Sequence, residues 1–194
     1  MKQLVERIRE EGENAGGGIV KVDGFLNHQV DTALTQLMGE RFVEMFLTKG
    51  VHDITKVITA EVSGIPSALI TAQLLDVPMI YARKHRSAVM TDDYFAAEAK
   101  SRTKGEDVML MISKKYLSVL DRVLIIDDFL ATGSTISALC QAVAESGAIV
   151  GGIGCVIEKP SEGGREKLEP LGIPIATLAQ VVFDGEELEV GPGR

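Results

Sequence analysis

Residues 122–135 read RVLIIDDFLATGST, and this stretch decides the fold. Its apolar run, residues 123–126, is typical of a strand buried on both faces of a parallel sheet. Asp127 and Asp128 follow directly, and because an unpaired buried charge is costly, we expect both carboxylates to reach solvent, a cation or a polyhydroxyl ligand. A helix is predicted next, since apolar residues recur there at helical spacing: Ile136, Leu139, Cys140 and Val143.

Five small residues form the turn between this strand and this helix: Ala131, Thr132, Gly133, Ser134 and Thr135. The free backbone N–H groups and the dipole of a helix N-terminus favour a phosphate there. Gly133 permits a positive φ and a close backbone approach, and the hydroxyl groups add donors. With two carboxylates just upstream, suited to ribose hydroxyls or Mg²⁺, the unit predicts a ligand shaped like ribose 5-phosphate. An ordinary strand–helix unit capped by Ser or Thr accounts for the hydroxyls but not for the paired aspartates.

Length and composition disfavour several classes of protein. The chain has 194 residues, which suits one α/β domain with a sizeable core, and 45% are hydrophobic and 25% charged. The net charge of −8 disfavours binding to nucleic acid or to anionic membranes. No apolar stretch approaches the ~20 residues of a membrane span, and residues 1–12 are too charged for a signal peptide. The two cysteines, Cys140 and Cys155, read as buried hydrophobic residues, which fits a cytoplasmic location.

Strands and helices alternate along the chain, with polar residues at the carboxyl ends of the strands. Further strands are predicted at residues 55–59, 77–82, 108–113, 149–157 and 173–178. This alternation predicts a single α/β domain over residues 1–194, built on a doubly wound, mainly parallel sheet with ligands at its carboxyl edge. Residues 181–194 read as an acidic tail with one short strand at most.

Residues 1–30 are predicted to form a small N-terminal cap on this domain. They begin with an amphipathic helix over residues 1–11, and Gly12 ends it. Asp31 then caps a helix that runs to about residue 49. Its inward side chains are predicted to be Leu34, Leu37, Met38, Phe42, Met45 and Phe46.

A basic run and a long polar segment stand out in the middle of the chain. Residues 83–86 read RKHR, which on an acidic protein indicates either a site for a polyanion or a solvated loop. Residues 87–107 are polar, and a segment of this length inside an α/β domain is typical of a flexible lid over a site.

The run from residue 123 to residue 135 resembles the signature of phosphoribosyltransferases, and four further stretches resemble the bacterial xanthine phosphoribosyltransferases. These stretches read VKVD at 20–23, FLNHQ at 25–29, YARKH at 81–85 and IEK at 157–159. The similarity covers nearly the whole chain. It implies a type I phosphoribosyltransferase fold, a homodimer, and transfer of the 5-phosphoribosyl group from 5-phosphoribosyl 1-pyrophosphate to xanthine, giving xanthosine 5′-monophosphate and pyrophosphate.

The resemblance also implies a role for each candidate residue. Asp127 and Asp128 are the catalytic pair, which binds the ribose hydroxyls and favours the positive charge that grows on the sugar. Residues 131–135 hold the 5-phosphate. The pyrophosphate is held by Val62, Ser63, Gly64, Arg83 and Lys84. Mg²⁺ arrives with the substrate and reaches the protein, if at all, through Asp127 or Asp128.

The purine site that the resemblance implies consists of Val20, Asn27 and Lys159, with Phe129 placed to stack on the base. Xanthine has two exocyclic carbonyls, so its pocket needs donors, which the Lys159 ammonium and the Asn27 amide supply. Each residue also has a plainer interpretation. Val20 reads as core, Asn27 as a turn former and Lys159 as an exposed lysine after a strand.

Three other functions stay open at this point. Adenine phosphoribosyltransferase fits residues 83–84 and the Thr-Gly-Ser-Thr loop equally well, but the exocyclic amine of adenine is a mismatch for Lys159. A non-catalytic sensor of phosphoribosyl pyrophosphate would need an added module that binds nucleic acid. A generic nucleotide-binding domain would need a G-x-G-x-x-G motif or a Walker lysine, and the sequence has neither.

Overall fold

The computed structural model describes residues 1–85, 93–100, 107–185 and 187–194. Its helices are α1 (Lys2–Glu11), α2 (Thr32–Thr48), α3 (Ile65–Leu74), α4 (Ser134–Glu145) and α5 (Gly164–Leu168). Its strands are β1 (Glu13–Asn14), β2 (Val20–Lys21), β3 (Lys56–Ala60), β4 (Met79–Ala82), β5 (Tyr94–Ala99), β6 (Val108–Ser113), β7 (Arg122–Leu130), β8 (Ile149–Glu158), β9 (Ile175–Asp184) and β10 (Glu187–Pro192). Single helical turns span Asp23–Asn27, Pro160–Glu162 and Glu169–Leu171. Within these ranges, no helix is both long and apolar enough to cross a bilayer.

Six strands form the central sheet, in the order β10-β9-β8-β7-β3-β4. Five of them run parallel, and β10 is antiparallel to β9 at one edge. Helices cover both faces, so the prediction of a doubly wound, mainly parallel sheet is confirmed. β5 and β6 form a separate antiparallel hairpin, and the short strands β1 and β2 form a separate pair.

The side chains of β7 alternate between two hydrophobic cores, one on each face of the sheet. Leu124 and Ile126 belong to the core under α1, α2 and α3, whereas Val123 and Ile125 belong to the core under α4 and the β5–β6 hairpin. All four are fully buried. Because successive side chains of a strand point to opposite faces, a strand covered on both sides is apolar at every position. This burial explains the continuous apolar run in the sequence.

The end of the chain was predicted as an acidic tail with at most one short strand. That strand is present, but the prediction of a tail is wrong, because two paired strands occupy this segment. β9 continues to Asp184, and β10 returns beside it. Glu187 and Glu189 of β10 are exposed, while Val190 is buried in the core. The acidic residues therefore occupy the outer face of an edge strand. Because they are charged, the alternation of exposed and buried positions that is typical of a strand was not recognised in the sequence.

Residues 1–30 pack into the same core as α2 and one face of the sheet. Leu4, Val5 and Ile8 of α1 are buried there, on the predicted side of the helix. Arg9 donates a hydrogen bond of 2.5 Å to the Val190 carbonyl, which ties α1 to the edge strand β10. The N-terminal segment is thus held at the β9–β10 end of the sheet.

The predicted lid, residues 87–107, lies partly outside the described residues. Its described part holds β5, which pairs with β6 along its whole length. Two contacts anchor this hairpin. The backbones of Arg83 and Met111 exchange two hydrogen bonds of 2.9 Å, and the Lys100 N–H donates to the Ser134 hydroxyl at 2.6 Å. The hairpin is therefore fastened both to the end of β4 and to the start of α4.

α2 begins where the sequence predicts, since Asp31 Oδ1 accepts the Leu34 N–H at 3.0 Å. Most of the predicted inward side chains are at least half-buried: Leu34, Met38, Phe42, Met45 and Phe46. Leu37, however, is 38% exposed, so its prediction as an inward residue is wrong. Gly39 is buried instead, and a Cβ there would lie 2.5 Å from Ile70 of α3. The close contact with α3 turns Leu37 toward solvent.

Leu34→Ala and Leu37→Ala test this orientation of α2 as a matched pair. Leu34 is buried, so its truncation leaves a cavity, and we expect the free energy of unfolding to fall by about 2–4 kcal/mol. Leu37 is partly solvated already, so its truncation should cost less than about 1 kcal/mol. Urea denaturation measures both values, and equal losses would contradict the orientation.

Candidate active site

Most of the candidate residues line a cavity of about 730 Å³. It lies beyond the carboxyl ends of β4, β7 and β8, which is where open α/β sheets bind ligands. Its volume suits a small molecule rather than a macromolecule. The candidates in its wall are Val20, Asn27, Lys84, Asp127, Asp128, Phe129, Ala131, Thr132, Gly133, Ser134, Thr135 and Lys159.

The loop after β7 has the geometry expected of a phosphate site. α4 begins at Ser134, and Gly133 before it has a φ of +72°, which glycine adopts without a steric penalty. A side chain at this position would also meet the Gly164 carbonyl oxygen at 3.0 Å. The first N–H groups of α4 have no partner inside the helix, so they are available to an anion.

Asp127 and Asp128 lie inside β7 rather than after it, because the strand continues to Leu130. Asp127 is only 5% exposed, so of the three predicted partners solvent contributes little, and the cavity that Asp127 lines leaves a cation or a polyhydroxyl ligand. Its Oδ1 lies 3.5 Å from the Thr59 hydroxyl. Asp128 is half-buried, and its Oδ1 accepts the Phe129 N–H at 3.0 Å. Both carboxyl groups line the cavity, through which a ligand can reach them.

Burial raises the pKa of both carboxyl groups above the ordinary value. For Asp127 the adjacent charge of Asp128 raises the pKa further, while the positive charge of Lys84 opposes both shifts. Two like charges side by side in a low-dielectric site favour retention of a proton. A cationic or hydroxyl-bearing ligand in the cavity would favour the ionised form.

Lys159 makes several contacts inside the cavity. Its Nζ donates to the Gly18 carbonyl at 2.8 Å and lies 3.7 Å from the Glu162 carboxylate and 5.0 Å from the centre of the Phe129 ring. The side chain is only 11% exposed, so the interpretation of Lys159 as an exposed lysine is wrong. Asn27 Oδ1 is buried and has no hydrogen-bond partner among the described residues. This part of the wall thus offers a buried cation, an aromatic face and an unpaired acceptor.

The residues predicted to hold pyrophosphate do not all come together. Lys84 lines the cavity. Three others lie outside its wall: Val62, Ser63 and Gly64. Arg83 turns away, because its Nε lies 3.2 Å from Glu61 Oε2 and its side chain lines a second cavity of about 560 Å³. Consecutive residues of an extended chain point to opposite sides, which separates Arg83 from Lys84.

Sequence reasoning missed parts of the wall that come from two other segments. Gly17, Gly18 and Ile19 line the cavity from the N-terminal segment, next to Val20, which belongs to both the core and the wall. Lys100 lines it from the hairpin. The sequence carried a signal for each, namely three consecutive glycines and a lysine inside the segment predicted as a lid.

The donor set of the cavity fits a Mg²⁺ ion that is carried by a substrate. Across the described ranges, no three His, Cys, Asp or Glu side chains gather into a metal-binding group. Asp127 and Asp128 nevertheless place two adjacent carboxyl groups in the wall. Mg²⁺ is usually held by one or two carboxylates together with substrate phosphates and water. The residues present match that requirement.

Asp127→Asn tests the raised pKa of the pair through stability. Because the folded-state pKa of Asp127 is raised, its contribution to the free energy of unfolding is fully present below the unfolded pKa of about 3.9. This contribution is lost as the pH rises through the folded-state pKa. Asn mimics the neutral form, so we expect its melting temperature at pH 7 to exceed that of the wild type by about 2–4 °C. The gain should vanish near pH 4, as measured by calorimetry.

Asp121→Asn is the matched control for this measurement. Burial raises the pKa of Asp121, but hydrogen bonds from Lys56, Ser118 and Thr55 outweigh it, and the net pKa is lowered. Removing that carboxylate should lower the melting temperature at pH 7. A gain in both variants, or a gain for Asp127→Asn that does not depend on pH, would contradict the pKa argument.

The family model for the phosphoribosyl transferase domain matches residues 32–174. Sequence relatives extend the similarity to nearly the whole chain. The xanthine phosphoribosyltransferase of Deinococcus deserti is 50% identical and covers 94% of this chain and 93% of its own. The enzyme of the same name from Listeria monocytogenes is 43% identical, with 97% of both chains covered. That from Streptococcus pneumoniae is 46% identical and covers 97% of this chain and 100% of its own.

Solved structures of adenine phosphoribosyltransferases share the fold. The structure from Rhodothermus marinus superposes with a TM-score of 0.71 at 27% identity, covering 93% of this chain and 99% of its own. That from Thermoanaerobacter pseudethanolicus gives a TM-score of 0.67 at 25% identity, covering 79% and 83%. The fold is thus that of the type I phosphoribosyltransferases. The chain belongs to the phosphoribosyl transferase family, in which these sequence relatives are xanthine phosphoribosyltransferases.

Proposed function

We propose that this chain transfers the 5-phosphoribosyl group from 5-phosphoribosyl 1-pyrophosphate to xanthine. One observation carries the proposal. A single cavity wall combines the N-terminus of a helix, two adjacent carboxyl groups, and a lysine beside an aromatic ring. A sugar phosphate and an oxopurine together need all three. The relatives named for xanthine, at 43–50% identity, support the choice of base.

The base would be recognised by Lys159, Asn27, Val20 and Phe129. Xanthine presents two exocyclic carbonyls and ring N–H groups, so it needs both donors and acceptors. The Lys159 ammonium can donate to a carbonyl, and the unpaired Asn27 Oδ1 can accept a ring N–H. Phe129 offers a face for stacking, and Val20 an apolar contact. The exocyclic amine of adenine would instead face the ammonium, and two donors repel each other.

The phosphate loop and the carboxyl pair would position the sugar. Residues 131–135 hold the 5-phosphate with their N–H and hydroxyl groups, and Asp127 and Asp128 accept hydrogen bonds from the ribose hydroxyls. The bond from C1 of the ribose to the pyrophosphate oxygen breaks, and its electron pair leaves with pyrophosphate. A ring nitrogen of xanthine then bonds to C1, and the proton that the imidazole ring loses passes to the departing pyrophosphate or to solvent. The carboxylates stabilise the positive charge that develops on the sugar.

The leaving group would be held by Lys84 and by backbone N–H groups of Val62, Ser63 and Gly64. These three residues lie outside the cavity wall but beside the carboxyl pair, since a Cβ on Gly64 would stand 2.5 Å from Asp127 Oδ1. Lys84 supplies positive charge inside the cavity. Arg83 has no part in this proposal, because its side chain lies in the second cavity. Mg²⁺ bound to the substrate would add positive charge that helps pyrophosphate to depart.

The finer properties follow from the family resemblance. We propose a homodimer in the cytoplasm, with residues 1–30 as a purine-binding cap and residues 87–107 as a lid. The free cysteines Cys140 and Cys155 are in keeping with a reducing compartment. Light scattering after size exclusion would test the dimer, and a mass of one chain would refute it.

Pyrophosphate release with Mg²⁺ and phosphoribosyl pyrophosphate tests the function directly. Xanthine, guanine, hypoxanthine and adenine are offered in turn, and we expect the highest kcat/KM with xanthine. Activity with adenine alone would retain the sugar-phosphate site and overturn the base assignment. Silence with all four bases, alongside measurable binding of phosphoribosyl pyrophosphate, would identify a sensor instead of an enzyme.

Lys159→Ala and Lys84→Ala form a matched pair that separates the two substrates. Loss of the Lys159 donor should raise the KM for xanthine about tenfold and leave the KM for phosphoribosyl pyrophosphate nearly unchanged. Loss of Lys84 should instead raise the KM for phosphoribosyl pyrophosphate about tenfold and leave the KM for xanthine nearly unchanged. Steady-state kinetics measures all four values. If Lys159→Ala raises the two KM values equally, Lys159 does not recognise the base.

A further inference from the structure

A buried ion pair closes the loop that carries Lys159. Glu158 is the last residue of β8, and Arg165 lies in the first turn of α5. Arg165 Nε donates to Glu158 Oε1 at 2.7 Å, and its second nitrogen donates to Oε2 at 2.8 Å. The two residues flank a six-residue segment, residues 159–164, which is called the 159–164 loop below. The ion pair therefore fixes both ends of this loop.

The Glu158 carboxylate is the hub of a larger network. It is 1% exposed, and it also accepts hydrogen bonds from Thr177 (2.9 Å), Gln180 (3.0 Å) and Arg194 (3.2 Å). Burial raises the pKa of this carboxyl group, but the hydrogen bonds from Arg165, Gln180 and Thr177 outweigh it and lower the pKa to about 2. Glu158 is thus ionised near neutral pH, and its partners hold it in one position.

Both ends of the 159–164 loop contact the end of β7 and the phosphate loop that follows it. Lys159 begins the loop, and its N–H donates to the Leu130 carbonyl at 2.8 Å. Gly164 ends it, and its backbone lies against the phosphate loop. A Cβ on Gly164 would stand 2.2 Å from the Ala131 carbonyl oxygen and 2.7 Å from the Gly133 nitrogen. Because Arg165 directly follows Gly164, a displacement of Arg165 would also displace the phosphate loop.

We propose that Glu158 and Arg165 are positioning residues, whose ion pair aligns Lys159 with the phosphate loop through the 159–164 loop. Neither side chain lines the cavity, so neither would touch a substrate. The pair sets the distance between the base site and the 5-phosphate site, which must match the length of a nucleoside monophosphate. This inference rests on the proposed function for its substrates but not for its geometry.

Kinetics of Glu158→Gln, Arg165→Met and the double variant test the proposal. Each single variant should raise the KM for both substrates about tenfold, because a misplaced binding group loses affinity steeply. The double variant should show about the same rise rather than about a hundredfold, because both residues act through one contact.

The double variant also separates positioning from stability. Each single variant deprives a buried charge of its main counter-charge, whereas the double variant removes both charges and should regain much of the melting temperature. Raised KM values in a double variant that melts near the wild type would support positioning. Wild-type KM values there would overturn it. If the single variants fail to fold, the double variant alone decides.

Asp121→Asn is the control for a buried ion pair elsewhere. Lys56 Nζ lies 2.6 Å from Asp121. This ion pair lies at the amino ends of β3 and β7, whereas the cavity lies at the carboxyl edge of the sheet. This variant should melt earlier and keep both KM values within about twofold of the wild type. If the KM values of Asp121→Asn rise as much as those of Glu158→Gln, KM merely follows stability, and the positioning role is ruled out.

Binding of ribose 5-phosphate separates this inference from the proposed function. Calorimetry needs no turnover, and we expect Glu158→Gln to raise the Kd about tenfold. If the wild type binds ribose 5-phosphate but does not use xanthine, the proposed function fails while the Kd ratio still decides the positioning role. An unchanged Kd, or a wild type that binds no ribose 5-phosphate, would overturn the inference.

Discussion

The parallel pairing of β7 with β8 is the constraint on which the cavity depends. Leu130 pairs with Glu158 at the carboxyl end of this ladder, so the next residues of both strands emerge together. The β7 side contributes the carboxyl pair and the phosphate loop, and the β8 side contributes Lys159. Residues about thirty positions apart in the sequence thereby become neighbours, and the other elements of the fold support that meeting point.

Carboxyl groups at the same edge of the sheet have pKa values that are shifted in opposite directions. Burial dominates at Asp127 and Asp128 and raises their pKa, whereas donors dominate at Glu158 and lower its pKa to about 2. The first pair is destabilising without a ligand, which is common at sites that await positive charge. The second is a satisfied structural anion.

Local chemistry made much of this molecule predictable. The run from residue 123 to residue 135 carried the strand, the helix and the phosphate loop, because each depends on neighbours in the sequence. The partners of Glu158 could not be predicted, since Thr177 and Gln180 lie on another strand and their register is a property of the sheet. The direction of Arg83 was missed for a related reason. A basic run shows its charge but not which residues point to which side.

The hydrogen bond from Lys159 to the Gly18 carbonyl has a consequence for turnover. A buried ammonium without a partner is costly, so a cavity that relied on the base alone to satisfy Lys159 would resist losing its product. Here Gly18 and Glu162 both contact the ammonium, so its partners do not depend on a ligand. If Lys159 recognises the base as proposed, departure of the nucleotide leaves the ammonium with these two protein partners, and the Gly18 carbonyl takes over the role of the purine oxygen.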